Sequence, residues 1–102
     1  MEKLIAGHNV EVNEEGYLKD FSQWDKEIAE NIAKEENVDM SDRHWEVIEF
    51  LQKAHQDKVA LSIRRVGKSG VVDIKEFYKL FPNGPLKIST KIAGIPKPAS
   101  CI

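Results

Sequence analysis

Cys101 is the only cysteine in the sequence and stands one place before its last residue. A lone thiol makes no internal disulfide, so it is either a small apolar core residue or a reactive group. Chain ends fray unless tied down, which argues against the core. The residues before it read Ile95-Pro96-Lys97-Pro98-Ala99-Ser100. Two prolines one residue apart exclude helix and favour an extended, polyproline-like chain. At about 3.1 Å per residue, the stretch from Ile95 to Cys101 reaches roughly 20 Å. A stiffened tether of that length can carry a thiol into another protein's cleft, and its prolines reduce the entropy lost on ordering there. The thiolate is the nucleophilic form. The neighbouring terminal carboxylate of Ile102 disfavours it in the free arm. Lys87, Lys91 and Lys97, with Arg64 and Arg65 if the arm folds back, would favour it. From the residues alone a second reading stays open, in which Cys101 is incidental and the tail disordered.

Other chemistry finds little support. His8, His44 and His55 lack metal-ligand spacing, and the one cysteine is remote from them in sequence. No Ser-His-Asp arrangement or Gly-rich dinucleotide loop occurs. Gly67-Lys68-Ser69-Gly70 echoes the end of a phosphate-binding loop, but the glycine that motif needs five places earlier is Ser62. Neither a metal nor a cofactor is expected.

The chain has 102 residues, the size of one domain. A charged fraction of 31% and a mean hydropathy of -0.44 describe a soluble protein. No apolar run approaches the roughly 18–20 residues of a membrane helix. The N-terminal apolar stretch is only Leu4-Ile5-Ala6, too short for a signal peptide. No membrane partner and a cytoplasmic location are therefore expected. Residues 1–57 carry six basic and fifteen acidic side chains, and residues 58–102 nine basic and two acidic. This polarity is either a docking surface for anionic partners or a bias without functional meaning. A helix-turn-helix could be drawn between Ser22 and Ala54. That half is strongly acidic and opposes phosphate contacts, so direct nucleic-acid binding is not expected.

The elements that must position the tail read as follows. Ile5, Val10 and Val12, then the Asn13-Glu14-Glu15-Gly16 turn, then Tyr17 and Leu18, predict a short hairpin. Ser22 caps a first helix with Trp24, Ile28 and Ile32 on its apolar stripe. Ser41 caps a second, with Trp45, Ile48 and Leu51 and, toward the other side, Val47, Phe50 and Ala54. Trp24 and Trp45 are read as core residues rather than binding platforms. Residues 72–80 predict a short helix with Ile74, Phe77, Tyr78 and Leu80 inward. Pro85 opens a last helix and Gly94 stops it. The expectation is a mainly α fold with a small N-terminal β-hairpin (α+β), a compact orthogonal helical bundle. It occupies residues 1–94, with a flexible arm over 95–102 carrying Cys101.

Several segments resemble the DsrC/TusE family. These are Glu15-Gly16-Tyr17-Leu18, Asp20-Phe21-Ser22 with Trp24, His44-Trp45-Glu46-Val47-Ile48 with Phe50-Leu51, Ile63-Arg64, Leu80-Phe81-Pro82 with Gly84-Pro85, and above all the terminal KIAGIPKPASCI. That family includes the gamma-type partner of dissimilatory sulfite reductase and the sulfur-relay protein of tRNA 2-thiolation. The resemblance implies that Cys101 accepts sulfur as a persulfide from a donor protein. It then passes the sulfur to an acceptor, thiouridylase-like or a sulfite reductase. The chain would be a sulfurtransferase-type carrier rather than a turnover enzyme. By the same resemblance Arg64, Lys68, Lys87, Lys91 and Lys97 would bind partners or stabilise the sulfur anion. The alternative is a binding protein, associated with sulfite reductase or responsive to sulfur. Two departures matter. Members that work with sulfite reductase carry a second cysteine eleven residues before the last one, where this chain has Thr90. The region between Arg64 and Phe81 also looks shorter than usual.

Overall fold

Ala6 and Gly7 both take positive φ, 53° and 79°. Two such residues make the tight turn whose twist matches paired strands. They join β1 (Glu2–Ile5) to β2 (His8–Glu11) antiparallel, with Ile5 opposite His8 and Lys3 opposite Val10. Ile5 and Val10 are buried and Leu4, on the other face, is exposed, as a period of two requires. The hairpin turn therefore lies earlier than the sequence suggests. The Asn13–Gly16 loop instead closes an isolated bridge between Val12 and Leu18. This computed structural model describes residues 1–97, and the rest of the expected arm, residues 98–102 with Cys101, lies outside the described residues.

Five α-helices follow among the described residues: α1 (Lys26–Glu35), α2 (Asp42–Gln56), α3 (Ile63–Gly67), α4 (Ile74–Leu80) and α5 (Pro85–Ala93). The fold is mainly helical with a small N-terminal hairpin. The start of α1 differs from expectation. Asp20, not Ser22, caps a single 3-10 turn at Phe21–Gln23, accepting from the Ser22 amide. The chain then extends through Trp24, and Asp25 caps α1 by accepting from the Ile28 amide at 2.8 Å. The acidic side chains win because each reaches an otherwise unpaired amide of a first turn. Ile28, Ala29, Ile32 and Ala33 form the buried stripe, and Trp24 is free to point elsewhere.

At the start of α2, His44 takes the place usually held by Glu or Gln in a capping box. Its Nδ1 accepts from the Ser41 amide at 3.0 Å, and its Nε2 donates to the Leu80 carbonyl at 2.9 Å. One imidazole thus closes α2 and ties it to the end of α4. Arg43 adds a second tie, donating to both carboxylate oxygens of Glu76 and to the Val71 carbonyl. In α4 only Phe77 is fully buried, packed edge to face on Phe81. Ile74 and Tyr78, expected inward, are 43% and 47% exposed. A seven-residue helix presents one row to the core, and here that row is Phe77–Phe81. Trp45 is half-buried against the core, with the Lys26 ammonium over its ring.

The central element is α5, which contacts α1, α2 and α4. Pro85 begins it, and Leu86, Ile88, Ser89, Thr90, Ile92 and Ala93 are all buried. Gly94 ends it at φ 75°. The Gly94 amide donates to Lys91 O and the Ile95 amide to Thr90 O. This is a Schellman closure, whose usual apolar contact is supplied by Ile95, 1% exposed. The packed part of the chain thus includes Ile95, the residue with which the sequence reading opens the arm.

Two outcomes follow from these contacts. A Cβ on Gly94 would lie 2.4 Å from Trp24 Cδ1 in a left-handed backbone. Gly94→Ala should destabilise by about 1–2 kcal/mol from the backbone alone, and more from the clash, measured by urea unfolding. The Glu76 carboxyl is held below its ordinary 4.5, first by its hydrogen bond from Arg43 and, against the opposing effect of burial, by the Arg43 charge. A lowered folded pKa stabilises above the unfolded value and is lost as pH falls. Glu76→Gln should therefore lower the melting temperature at about pH 7, and the gap to the parent should narrow as pH falls below the ordinary carboxylate value of 4.5. A gap that stays constant across that range would refute the linkage.

Candidate functional site

Cys101 lies outside the described residues, so the geometry that bears on it is that of the arm's root. A helix leaves its last four carbonyls without helical partners. In α5 these belong to residues 90–93, and all four are met. Thr90 O and Lys91 O take the Schellman amides. Ile92 O accepts from Trp24 Nε1 at 2.8 Å, and Ala93 O accepts from Gln52 Nε2 at 2.9 Å. Trp24 comes from the segment before α1 and Gln52 from α2, so the two flanking elements grip the last turn directly. The Trp24 ring lies against Gly94, where no side chain would fit, and Phe21 stacks on it.

A second grip is electrostatic. Asn13 Oδ1 accepts from the amides of Glu15 and Tyr17, which folds the loop so that Glu15 faces the basic side chains. Lys97 donates to Glu15 at 2.9 Å. The Glu15 carboxyl lies below its ordinary value, chiefly through that hydrogen bond and then, against the effect of burial, through the charges of Lys97, Lys87 and Lys91. Lys91 pairs with Glu36 at 2.7 Å, with both side chains largely covered. The buried Tyr17 hydroxyl donates to Lys87 O at 2.8 Å.

The basic residues named from the sequence thus fall into two groups. Lys87, Lys91 and Lys97 gather around Glu15 at the root of the arm. Two of the three are held in internal ion pairs with the acidic half of the chain. Arg64 and Lys68 instead line a cleft of about 720 Å³ beside α2 and α3, with Phe50, Lys53, Ala54, Asp57, Val59, Ser62, Arg65 and Ser69. Neither belongs to an ion pair among the described residues. Trp24, Gln52, Glu15 and Glu36 escaped the sequence reading as site residues. Only the Asn13-x-x-Gly16 loop signal hinted at one of them. Thr90, the position at which the resemblance places the second cysteine of sulfite-reductase partners, is fully buried, and its hydroxyl donates to Leu86 O at 2.7 Å.

Comparison with known proteins agrees with this architecture. The family described as DsrC like protein matches residues 4–102. The sulfurtransferase TusE of Buchnera aphidicola is 44% identical over 108 residues, covering 97% of this chain and 94% of that protein. TusE of Escherichia coli K12 is 38% identical over 107 residues, covering 97% and 98%. The crystal structure of the oxidized gamma subunit of dissimilatory sulfite reductase, DsrC, from Archaeoglobus fulgidus superposes over the whole of both chains, with a TM-score of 0.83 and 32% identity. With a family match over nearly its whole length and relatives above 30% identity, the chain belongs to the DsrC/TusE family of sulfur-relay and sulfite-reductase gamma-subunit proteins.

Proposed function

We propose that this protein is a single-cysteine sulfur carrier of the TusE type. The observation that carries the reading is a lone thiol six residues beyond Ile95, the last buried residue after α5, in a chain 44% identical to a protein called sulfurtransferase TusE. The Schellman closure and the Trp24 and Gln52 caps hold Ile95 in the body. Fully extended, the six residues from Pro96 to Cys101 span at most about 20–22 Å. The thiol is thus kept within a fixed radius of a rigid root, which suits exchange between two partner proteins.

The step is thiol–persulfide exchange. The Cys101 thiolate attacks the outer sulfur of a donor's R–S–SH. The new bond joins Cys101 Sγ to that sulfur, the donor's S–S bond breaks, and the donor leaves as its thiolate. The products are Cys101-S-SH and R–S⁻, with no external oxidant needed. Transfer to an acceptor thiol, such as that of a thiouridylase-type enzyme, repeats the exchange in the forward direction. Release of sulfur to an internal partner is impossible, because the chain has no second cysteine.

A second reading rests on the likeness to the sulfite-reductase gamma subunit. In that case the protein would bind a sulfite reductase or regulate in response to sulfur. Thr90 weighs against the two-cysteine version of that role. A thiouridylation assay with a donor and a thiouridylase acceptor separates the readings from stable binding to sulfite reductase.

Incubation with a persulfide donor should add one sulfur, roughly +32 Da, to the intact protein, and a reductant should remove it. Cys101→Ser, and deletion of Cys101 with Ile102, should abolish the gain and leave the melting temperature within about a degree. A Cys101→Ser protein that still gains reducible sulfur and still supports transfer would refute the carrier.

A further inference from the structure

The cleft beside α2 and α3 includes none of the side chains that cap or pair at the arm root. Lys53, Arg64, Arg65 and Lys68 line it against a single carboxylate, Asp57. The protein as a whole carries a formal net charge of -2. Lys3, Arg43, Lys91 and Lys97 are each engaged in ion pairs, whereas none of the four cleft cations is, among the described residues. The same cleft includes apolar surface from Phe50, Ala54 and Val59, the last of them 37% exposed. Its volume, about 720 Å³, lies within the roughly 300–1,000 Å³ of ligand-binding clefts.

We infer that this cleft docks a short acidic segment of a partner protein, with one aromatic or aliphatic side chain on the Phe50–Val59 surface and carboxylates paired to Lys53, Arg64, Arg65 and Lys68. Four cations without ion-pair partners among the described residues leave attractive potential for carboxylates, and the apolar lining gives a buried anchor to fix register. A nucleic acid fits less well. Phe50 is the only aromatic lining the cleft, so successive bases have no stacking platform. A long polyanion leaving the cleft along α2 would also meet Glu46 and Glu49, which do not line it. A peptide that covers only the cleft avoids them. Docking here lies apart from the arm root, so a partner would be held by the body while the arm delivers Cys101. That division of labour rests on the carrier reading; the docking itself does not.

The test uses the full-length reduced protein and a synthetic peptide of about ten Asp and Glu residues with one central Phe, followed by amide chemical shifts. Saturable shifts centred on Phe50, Lys53, Val59, Arg64, Arg65 and Lys68 are expected. Binding should weaken by about tenfold or more in Lys53→Glu/Arg65→Glu, and with rising salt. Replacing the acidic residues by Gln and Asn should abolish it, and Phe→Ser should weaken it severalfold. Both mutated side chains are exposed, and Lys53→Gln/Arg65→Gln serves if the charge-reversed protein does not fold. No saturable shift, shifts centred elsewhere, or equal binding by the Gln/Asn peptide would overturn the proposal. So would tighter binding of a single-stranded RNA of equal charge at the same residues. Persulfide gain at Cys101 from a small-molecule polysulfide is measured in parallel. Its absence with peptide binding intact sinks the carrier reading alone, and the reverse pattern sinks the docking alone.

Discussion

The structure turns on the end of α5. Four carbonyls at the C-terminus of a buried helix must find donors, because an unpaired buried acceptor costs about 1–3 kcal/mol. Two are met by the chain's own turn through Gly94. The other two draw Trp24 and Gln52 into place. Once the Trp24 ring lies on Gly94, the segment before α1 must run extended at that point. Gln52 likewise fixes which face of α2 meets α5. The same demand decides where the arm leaves the body.

Charge organises what burial leaves open. The acidic first half and basic second half read from the sequence as a polar molecule with a basic docking face. In the fold much of that polarity is spent internally, through Lys91–Glu36, Lys97–Glu15 and Arg43–Glu76. Arg43 is a base in the acidic half that meets an acid in the basic half, so the pairing works in both directions. Among the described residues, the cations without a carboxylate partner include those of the cleft beside α3. Basic residues that looked equivalent along the chain therefore divide between holding the arm root and facing outward.

Membership of the DsrC/TusE family and the single thiol bear on different questions. The family fixes the architecture, shared over the whole chain with a sulfite-reductase gamma subunit. The cysteine count limits the chemistry. Thr90, buried and bonded to Leu86 O, serves the helix, and Cys101 has no second cysteine in the sequence with which to form an internal disulfide. In the carrier proposed above, sulfur exchange is therefore intermolecular.

Local signals were enough for much of this. Ile28 and Ile32 of α1, the apolar spacing of α2, the proline that opens α5 and the glycine that stops it all act within a few residues, and short-range rules read them correctly. The terminal string with its lone cysteine carried the family. Where the reading missed, a distant contact had the deciding vote. Asp25 rather than Ser22 begins α1 because Trp24 is drawn out of the helix to reach Ile92, sixty-eight residues away. Ile74 and Tyr78 face outward because α4 has only one row against the core, and that row is chosen by Phe81 and His44 of neighbouring elements. Lys97 and Glu15 meet across eighty-two residues, a pairing that no spacing along the chain encodes. Periodicity reports which side chains avoid water; only the packed structure decides which polar groups they bring together.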